Sequence, residues 1–201
     1  MSFKEHFLTF YSMGRLDTPH AFCYLSRAME PKDNLNRIMV FAGSGGQGIV
    51  LLTRTLGELL VQRGCNVIST ETHGMATRGG SVVSFMKIGK YMSPYVLYGS
   101  CDIGVVLDDD ELQRVQPYLK DNALLIAYSK GDIKLEAIKK KYSLPYRALN
   151  MISYGLLARY FSFEKEDAIL ALRDIGKCTD ENLQALIAGY EEGGSLCINR
   201  D

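Results

Sequence analysis

From Arg37 onward the apolar positions fall into two kinds of run. Short stretches dense in β-branched and aromatic residues, beginning with "RIMVFAG" (37–43), lack polar alternation, as strands buried on both faces of a sheet do. Between them, apolar residues recur every three or four positions. Ile49, Leu52, Leu56, Leu59 and Leu60 form one helical stripe, which ends at Arg63 with Gly64 as a C-terminal stop. Further strands are expected at "NVISTE" (66–71), "SVVSFMKIG" (81–89), "IGVVLD" (103–108) and "ALLIAYS" (123–129). A helix is expected over "DDELQRVQPYLK", between the last two of these. After Pro145 the strand pattern stops and three helical patterns follow. These are "NMISYGLLARYFS", "EKEDAILALRDIG" ending at Gly176, and "TDENLQALIAGYEEGG", capped by Thr179 and carrying acids in its first turn.

This rhythm predicts an α/β fold: a mostly parallel, Rossmann-like sheet with flanking helices and a helical C-terminal section. The strand at 81–89, which returns soon after the one before it, is the candidate to break the parallel order. Residues 1–36 show no sustained period and close on the polar "MEPKDNLN". They read as an N-terminal extension to a domain spanning 37–201, with Met29 as an alternative start.

Composition changes this picture little. The 201 residues carry 47% hydrophobic and 23% charged side chains, enough for a sizeable core. Basic and acidic residues balance at 23 each, so no electrostatic case exists for nucleic acid or an anionic membrane. No apolar run is long enough to span a bilayer, and the first residues lack a signal peptide's apolar core, so a cytoplasmic location is expected. Cys23, Cys65, Cys101, Cys178 and Cys197 are odd in number and form no C-x-x-C pair. Reduced thiols are expected, not a locally built zinc site or cluster.

Two motifs carry chemistry. The first is the loop Gly43-Ser44-Gly45-Gly46-Gln47-Gly48, between the first strand and its helix. Backbone N–H groups and the positive end of the helix converge there, which suits an anion. The same glycines also serve a tight turn with close packing. Glu71 lies roughly 20 residues further on, where a dinucleotide fold keeps its ribose acid, so a free-standing NAD(P)-binding protein stays open. Gln47 is placed either to hydrogen-bond a ligand amide or to face solvent.

The second motif is His73-Gly74-Met75 followed by Arg78-Gly79-Gly80. A double-glycine turn after an arginine presents a fixed cation, and His73 is placed either to donate to a carboxylate or to hydrogen-bond within its own loop. If both loops leave the C-terminal ends of adjacent strands, Arg78 and the glycine loop form a two-sided anion clamp. Met75 reads as packing. The acids of "LDDDE" (107–111) read as capping residues at a helix start and not as a metal site.

Taken together, "GSGGQGIVLLTRTLGELLVQRG", "ETHGMATRGGSVVSFMKIG" with a following "SP", and "CDIGVVLD" resemble the γ subunit or γ domain of 2-oxoacid:ferredoxin (acceptor) oxidoreductases. The "HGM-x-x-RGGSV" form is most similar to the β subunit of indolepyruvate ferredoxin oxidoreductase, and "ENLQALIAGYEEG" resembles that family's closing helix. The resemblance runs over about 37–194. It implies a subunit without thiamine or clusters, in an enzyme that oxidatively decarboxylates a 2-oxoacid, arylpyruvate such as indolepyruvate being favoured, to an acyl-CoA. Thiamine diphosphate, Mg2+ and [4Fe-4S] clusters would sit on larger partner chains. Ferredoxin would be reached through the complex, coenzyme A would be a substrate, and homodimerisation is a further expectation. No catalytic residue is assigned to this chain. Gly43, Gly45, Gly46, Gln47, Gly48, His73, Arg78, Gly79 and Gly80 are its candidate cofactor- or substrate-binding residues.

Overall fold

The computed structural model describes residues 35–72 and 80–196. The apolar run at the start of the domain forms strand β1 (Arg37–Ser44), and Met39, Val40, Phe41 and Ala42 are all fully buried. The loop Gly45–Gly48 leads into helix α1 (Ile49–Gln62), which buries the stripe expected from the sequence together with Thr53 and Thr55. Its C-terminus closes as a Schellman motif. Gly64 takes φ 75° and donates to Val61 O, while the Cys65 N–H reaches Leu60 O.

Strands β2 (Val67–Thr72), β3 (Ser81–Ile88), β4 (Cys101–Val106), β5 (Leu119–Ala127) and β6 (Ile133–Lys134) complete a six-stranded sheet of order β2-β3-β1-β4-β5-β6. The pairs β1–β4, β4–β5 and β5–β6 are parallel; β3 runs antiparallel to both of its neighbours, β1 and β2. The sheet is thus mixed and mostly parallel, with β3 breaking the order. That placement corrects one expectation. The strands feeding the glycine loop and the 73–80 segment are not adjacent, because β3 lies between them, with Ser81 opposite Ser44. Thr72, Gly80 and Ser81, which bracket residues 73–79, still lie at the same edge of the sheet as the glycine loop, since an antiparallel strand starts where its neighbours end.

The helix expected over 109–120 is broken. A 3-10 turn (Asp109–Glu111), the single-turn helix α2 (Leu112–Val115) and a second 3-10 turn (Gln116–Tyr118) occupy it, and β5 begins at Leu119. Pro117 contributes to the break, because it lacks the N–H that would continue the helical ladder; Gln116 before it stays helical, at φ −49° and ψ −42°. Helix α3 (Leu135–Lys141) and strand β6 were not anticipated.

Helices α4 (Leu149–Tyr160), α5 (Lys165–Asp174) and α6 (Asp180–Glu192) form the C-terminal section. They share one core with α1 and the Met39/Phe41 face of the sheet. α4 is central, and only Arg159 among its twelve residues escapes burial. It meets α6 backbone to backbone: a Cβ on Gly155 would overlap Leu186 O, and one on Gly189 would overlap Ile152 O. The opposite face of the sheet buries a smaller set, Val40, Ala42, Val106, Val115 and Ala127.

Candidate functional site

The C-terminal ends of β1 and β4 lie side by side, but their chains then diverge. β1 continues through α1 towards β2, and β4 continues through the 109–118 turns towards β5. This is the switch point at which open α/β sheets hold ligands. The glycine loop stands on one side of it and Leu107–Glu111 on the other.

Several hydrogen bonds fix this crevice. Ser44 Oγ donates to Asp108 Oδ2 at 2.6 Å, and Asp108 Oδ1 accepts the Asp110 N–H at 3.2 Å. Asp109 accepts from the Ser129 N–H at 3.1 Å, and Glu111 accepts from Ser81 Oγ. The acids of "LDDDE" therefore cap turns and tie β1, β3, β4 and β5 together. Among the described residues no group of three His, Cys, Asp or Glu side chains is disposed to hold a metal.

The glycines divide by role. Gly43 is buried in β1, and the folded-over Gln47 Oε1 would lie only 2.5 Å from a Cβ there. Gly46, at φ 100°, is exposed over open space, whereas Gly48, at φ 81°, packs against the Asn150 side chain. Gly45 donates to Gly80 O at 2.7 Å. Gly80 thus fastens the end of the second motif to the first. His73, Met75, Arg78 and Gly79 lie outside the described residues.

Gln47 is held within the protein at both ends of its amide. Oε1 accepts from the Ser44 N–H at 2.7 Å, and Nε2 donates to Tyr146 Oη at 3.0 Å. The Tyr146 hydroxyl in turn donates to Leu107 O at 3.1 Å, so this ring bridges the two sides of the crevice. Burial, and then the nearby Asp108 charge, raise the Tyr146 phenol above its ordinary pKa. Lys139 Nζ lies 5.4 Å and 5.5 Å from the ring centroids of Tyr128 and Tyr146, a cation–π arrangement beside the same crevice.

Tyr146, Asn150, Lys139 and Tyr128 were not anticipated from the sequence. Their local patterns read as helix starts or strand ends, and nothing in them points to a loop about a hundred residues upstream.

Glu71 sits on the edge strand β2, opposite Ser84, which is itself opposite Phe41 of β1. Two strand spacings, about 10 Å, separate it from the glycine-loop strand. A dinucleotide fold places β2 directly beside β1. The inserted β3 removes the geometry on which the NAD(P)-binding alternative rested.

The sequence signature of the pyruvate ferredoxin/flavodoxin oxidoreductase family matches residues 38–192. The chain belongs to this family. A similar member is the indolepyruvate oxidoreductase subunit IorB of Archaeoglobus fulgidus, 29% identical over 77% of this chain and 94% of the relative. The 2-oxoglutarate synthase subunit KorC of the same organism is 24% identical, over 76% of this chain and 85% of that one.

Solved members share the fold. The pyruvate oxidoreductase subunit PORC of Thermotoga maritima superposes with a TM-score of 0.62 at 20% identity, over 78% of this chain and 96% of its own. A 2-oxoglutarate:ferredoxin oxidoreductase from Magnetococcus marinus, solved with 2-oxoglutarate, coenzyme A and succinyl-CoA bound, gives a TM-score of 0.64 at 19% identity over 83% of this chain. The present chain spans about a third of that larger chain, 32%.

The family is one of redox enzymes, yet the described residues do not fit an iron–sulfur cluster. Cys65 and Cys101 are buried in separate parts of the core, and Cys178 is half-buried. Among the described residues no helix is long and apolar enough to cross a membrane.

Proposed function

We propose that this chain is the subunit without thiamine or clusters of a cytoplasmic 2-oxoacid:ferredoxin oxidoreductase that converts an arylpyruvate, such as indolepyruvate, to its acyl-CoA. The observation that carries the reading is the glycine loop at the β1/β4 switch point, fastened through Gly45 and Gly80 to the end of the HGM-x-x-RGG segment. The similarity to an indolepyruvate oxidoreductase subunit over 94% of that relative supports the substrate class.

In this reading thiamine diphosphate, Mg2+ and [4Fe-4S] clusters belong to larger partner subunits, which perform the decarboxylation and pass electrons to ferredoxin. The present chain walls the substrate side of the shared site. Gly43, Gly45, Gly46 and Gly48 supply backbone N–H groups or room for them, while Gln47 holds the loop in shape. Arg78, carried on the turn of Gly79 and Gly80, closes an anion clamp with the loop, and His73 donates to the oxoacid carboxylate. The clamp takes a phosphate of coenzyme A or that carboxylate.

The surface for the larger subunit is the β3–β4 connection. Met92, Tyr95, Leu97 and Tyr98 are 98%, 72%, 62% and 73% exposed. Yet the segment is firmly held: Lys87 donates to Tyr95 O, Gly99 N–H to Pro117 O, and the Tyr98 ring packs on Tyr118. A rigid, exposed apolar loop suits a permanent partner, and the fold's occurrence as one third of a longer chain supports such a neighbour.

The test is reconstitution. The complex purified with its larger subunits should reduce ferredoxin in the presence of indolepyruvate and coenzyme A, and omission of this chain should abolish that activity. Arg78→Ala should raise the Michaelis constant for coenzyme A or the oxoacid by about 10- to 150-fold, the cost of losing a charge-assisted pair. Full activity without this chain would overturn the function. Normal assembly with both constants unchanged in Arg78→Ala would remove the clamp alone.

A further inference from the structure

Tyr146 stands on a 3-10 turn (Tyr146–Ala148) that runs straight into α4, the helix in which only Arg159 escapes burial. Two neighbours hold its ring. The Tyr128 ring meets it edge-on with centroids 5.2 Å apart, and Lys139 Nζ lies 5.5 Å from its centroid. The residue is 42% exposed, yet its hydroxyl is delivered to one point of the crevice.

At that point the hydroxyl completes a chain of three hydrogen bonds. The Ser44 N–H donates to Gln47 Oε1, Gln47 Nε2 donates to Tyr146 Oη, and Tyr146 Oη donates to Leu107 O. Gln47 is therefore fixed at both ends of its amide, by partners on opposite sides of the crevice. The fold-back has its counterpart at Gly43, where a Cβ would come within 2.5 Å of Gln47 Oε1. The backbone adds Gly45 N–H to Gly80 O at 2.7 Å and Gln47 N–H to Ser44 O at 3.1 Å, while Gly46 faces open space.

We propose that Tyr146 is a positioning residue which, acting through Gln47, holds the glycine loop in the shape that receives the ligand. The proposal rests on the reading of that loop as part of the substrate side of the shared site. A loop of glycines released from this tie has many backbone states open to it, at positive and negative φ alike. A ligand would then have to order the loop as it binds, and that cost weakens affinity. Tyr146 acts on the loop and not on the reacting atoms, so its loss should appear in the Michaelis constant and not in turnover.

The test uses the reconstituted complex with coenzyme A and indolepyruvate, and Tyr146→Phe, which removes the hydroxyl but keeps the ring. The Michaelis constant for one of the two substrates should rise about fivefold to tenfold, with kcat within about twofold of wild type. In the full-length chain alone, hydrogen exchange should quicken at residues 44–48 and stay unchanged in α4, with the melting temperature lowered by no more than about 4 °C. Gln47→Met should raise the same Michaelis constant, and adding Tyr146→Phe to it should bring no further rise.

Two unchanged Michaelis constants in Tyr146→Phe, in a complex whose activity requires this chain, would overturn the positioning role and leave the functional reading standing. Additive effects in the double variant would overturn the route through Gln47. A fall in kcat together with a large loss of melting temperature would make Tyr146 a structural residue only. Activity that does not need this chain would overturn the functional reading and the positioning role with it.

Discussion

The side-chain amide of Asn150 fills the space that a Cβ on Gly48 would need. One residue caps α1, the other opens α4, and their contact joins the sheet's ligand edge to the C-terminal helices. Gly48 is doubly constrained, by its φ of 81° and by this neighbour.

Gly48→Ala should therefore destabilise the chain by about 2–4 kcal/mol, combining left-handed backbone with overpacking. Urea unfolding measures it. Adding Asn150→Ala to that variant should recover part of the loss, because it removes the collision but not the backbone strain. A strictly additive double variant would show that the contact does not set the cost.

The α4–α6 crossing makes a contrasting pair of predictions. Gly155→Ala or Gly189→Ala drives a methyl into a main-chain carbonyl of the facing helix, which cannot swing aside. Each should cost roughly 3 kcal/mol or more, or prevent soluble expression. Gly57→Ala, inside α1, meets nothing nearer than Met86 Cε at 3.9 Å. It should leave the fold intact and raise stability by about 0.5–1 kcal/mol through helix propensity.

Alkaline pH should expose the buried thiol of Cys101. Burial, and then the adjacent Asp102 charge, push its pKa from 9.0 up to about 12. The folded state thus holds the proton more tightly than the unfolded one. The resulting stability is complete below pH 9, where both states are protonated, and is lost as pH rises towards 12. Urea midpoints should fall between pH 8 and pH 10.5, and Cys101→Ala should flatten that fall. Iodoacetamide at pH 8.5 should label the half-buried Cys178 well before Cys101.

The apolar β3–β4 loop separates folding from assembly. Met92→Ser with Tyr95→Ser should leave the melting temperature of the isolated chain within about 2 °C, since both side chains are largely exposed. Co-purification with the larger subunits should weaken markedly. Undiminished assembly would assign the contact to another face.

Truncation tests the domain boundary. The described fold starts its sheet at Arg37 and its core at Met39. Deleting residues 1–28 should leave soluble expression intact and shift the melting temperature by only a few degrees. Loss of soluble protein would make the N-terminal segment part of the domain.

Much of the architecture was legible locally. β1 could be read because a strand buried on both faces needs an unbroken apolar run. α1 could be read because its stripe is periodic and Gly64 supplies the left-handed stop. The α5 stop at Gly176 and the Thr179 cap, which accepts the Asn182 N–H, were equally visible. By contrast, α3 and α4 end with Ser143 and Ser162 in the left-handed region, at φ 54° and 56°. Serine announces no such stop, and α3 was missed altogether.

By itself, then, the sequence determined the strand–helix order, the glycine turn at the head of α1, the helical C-terminal section and the two motifs that mark the family. These follow from periodicity and from glycine's freedom at positive φ, properties of neighbouring residues. Only the tertiary structure decided that β3 enters between β1 and β2 and that Gln47 turns inward to Tyr146. It alone set Asn150 against Gly48. Each of these depends on which surfaces bury one another across the sheet, and packing between segments about a hundred residues apart leaves no periodic trace in either segment.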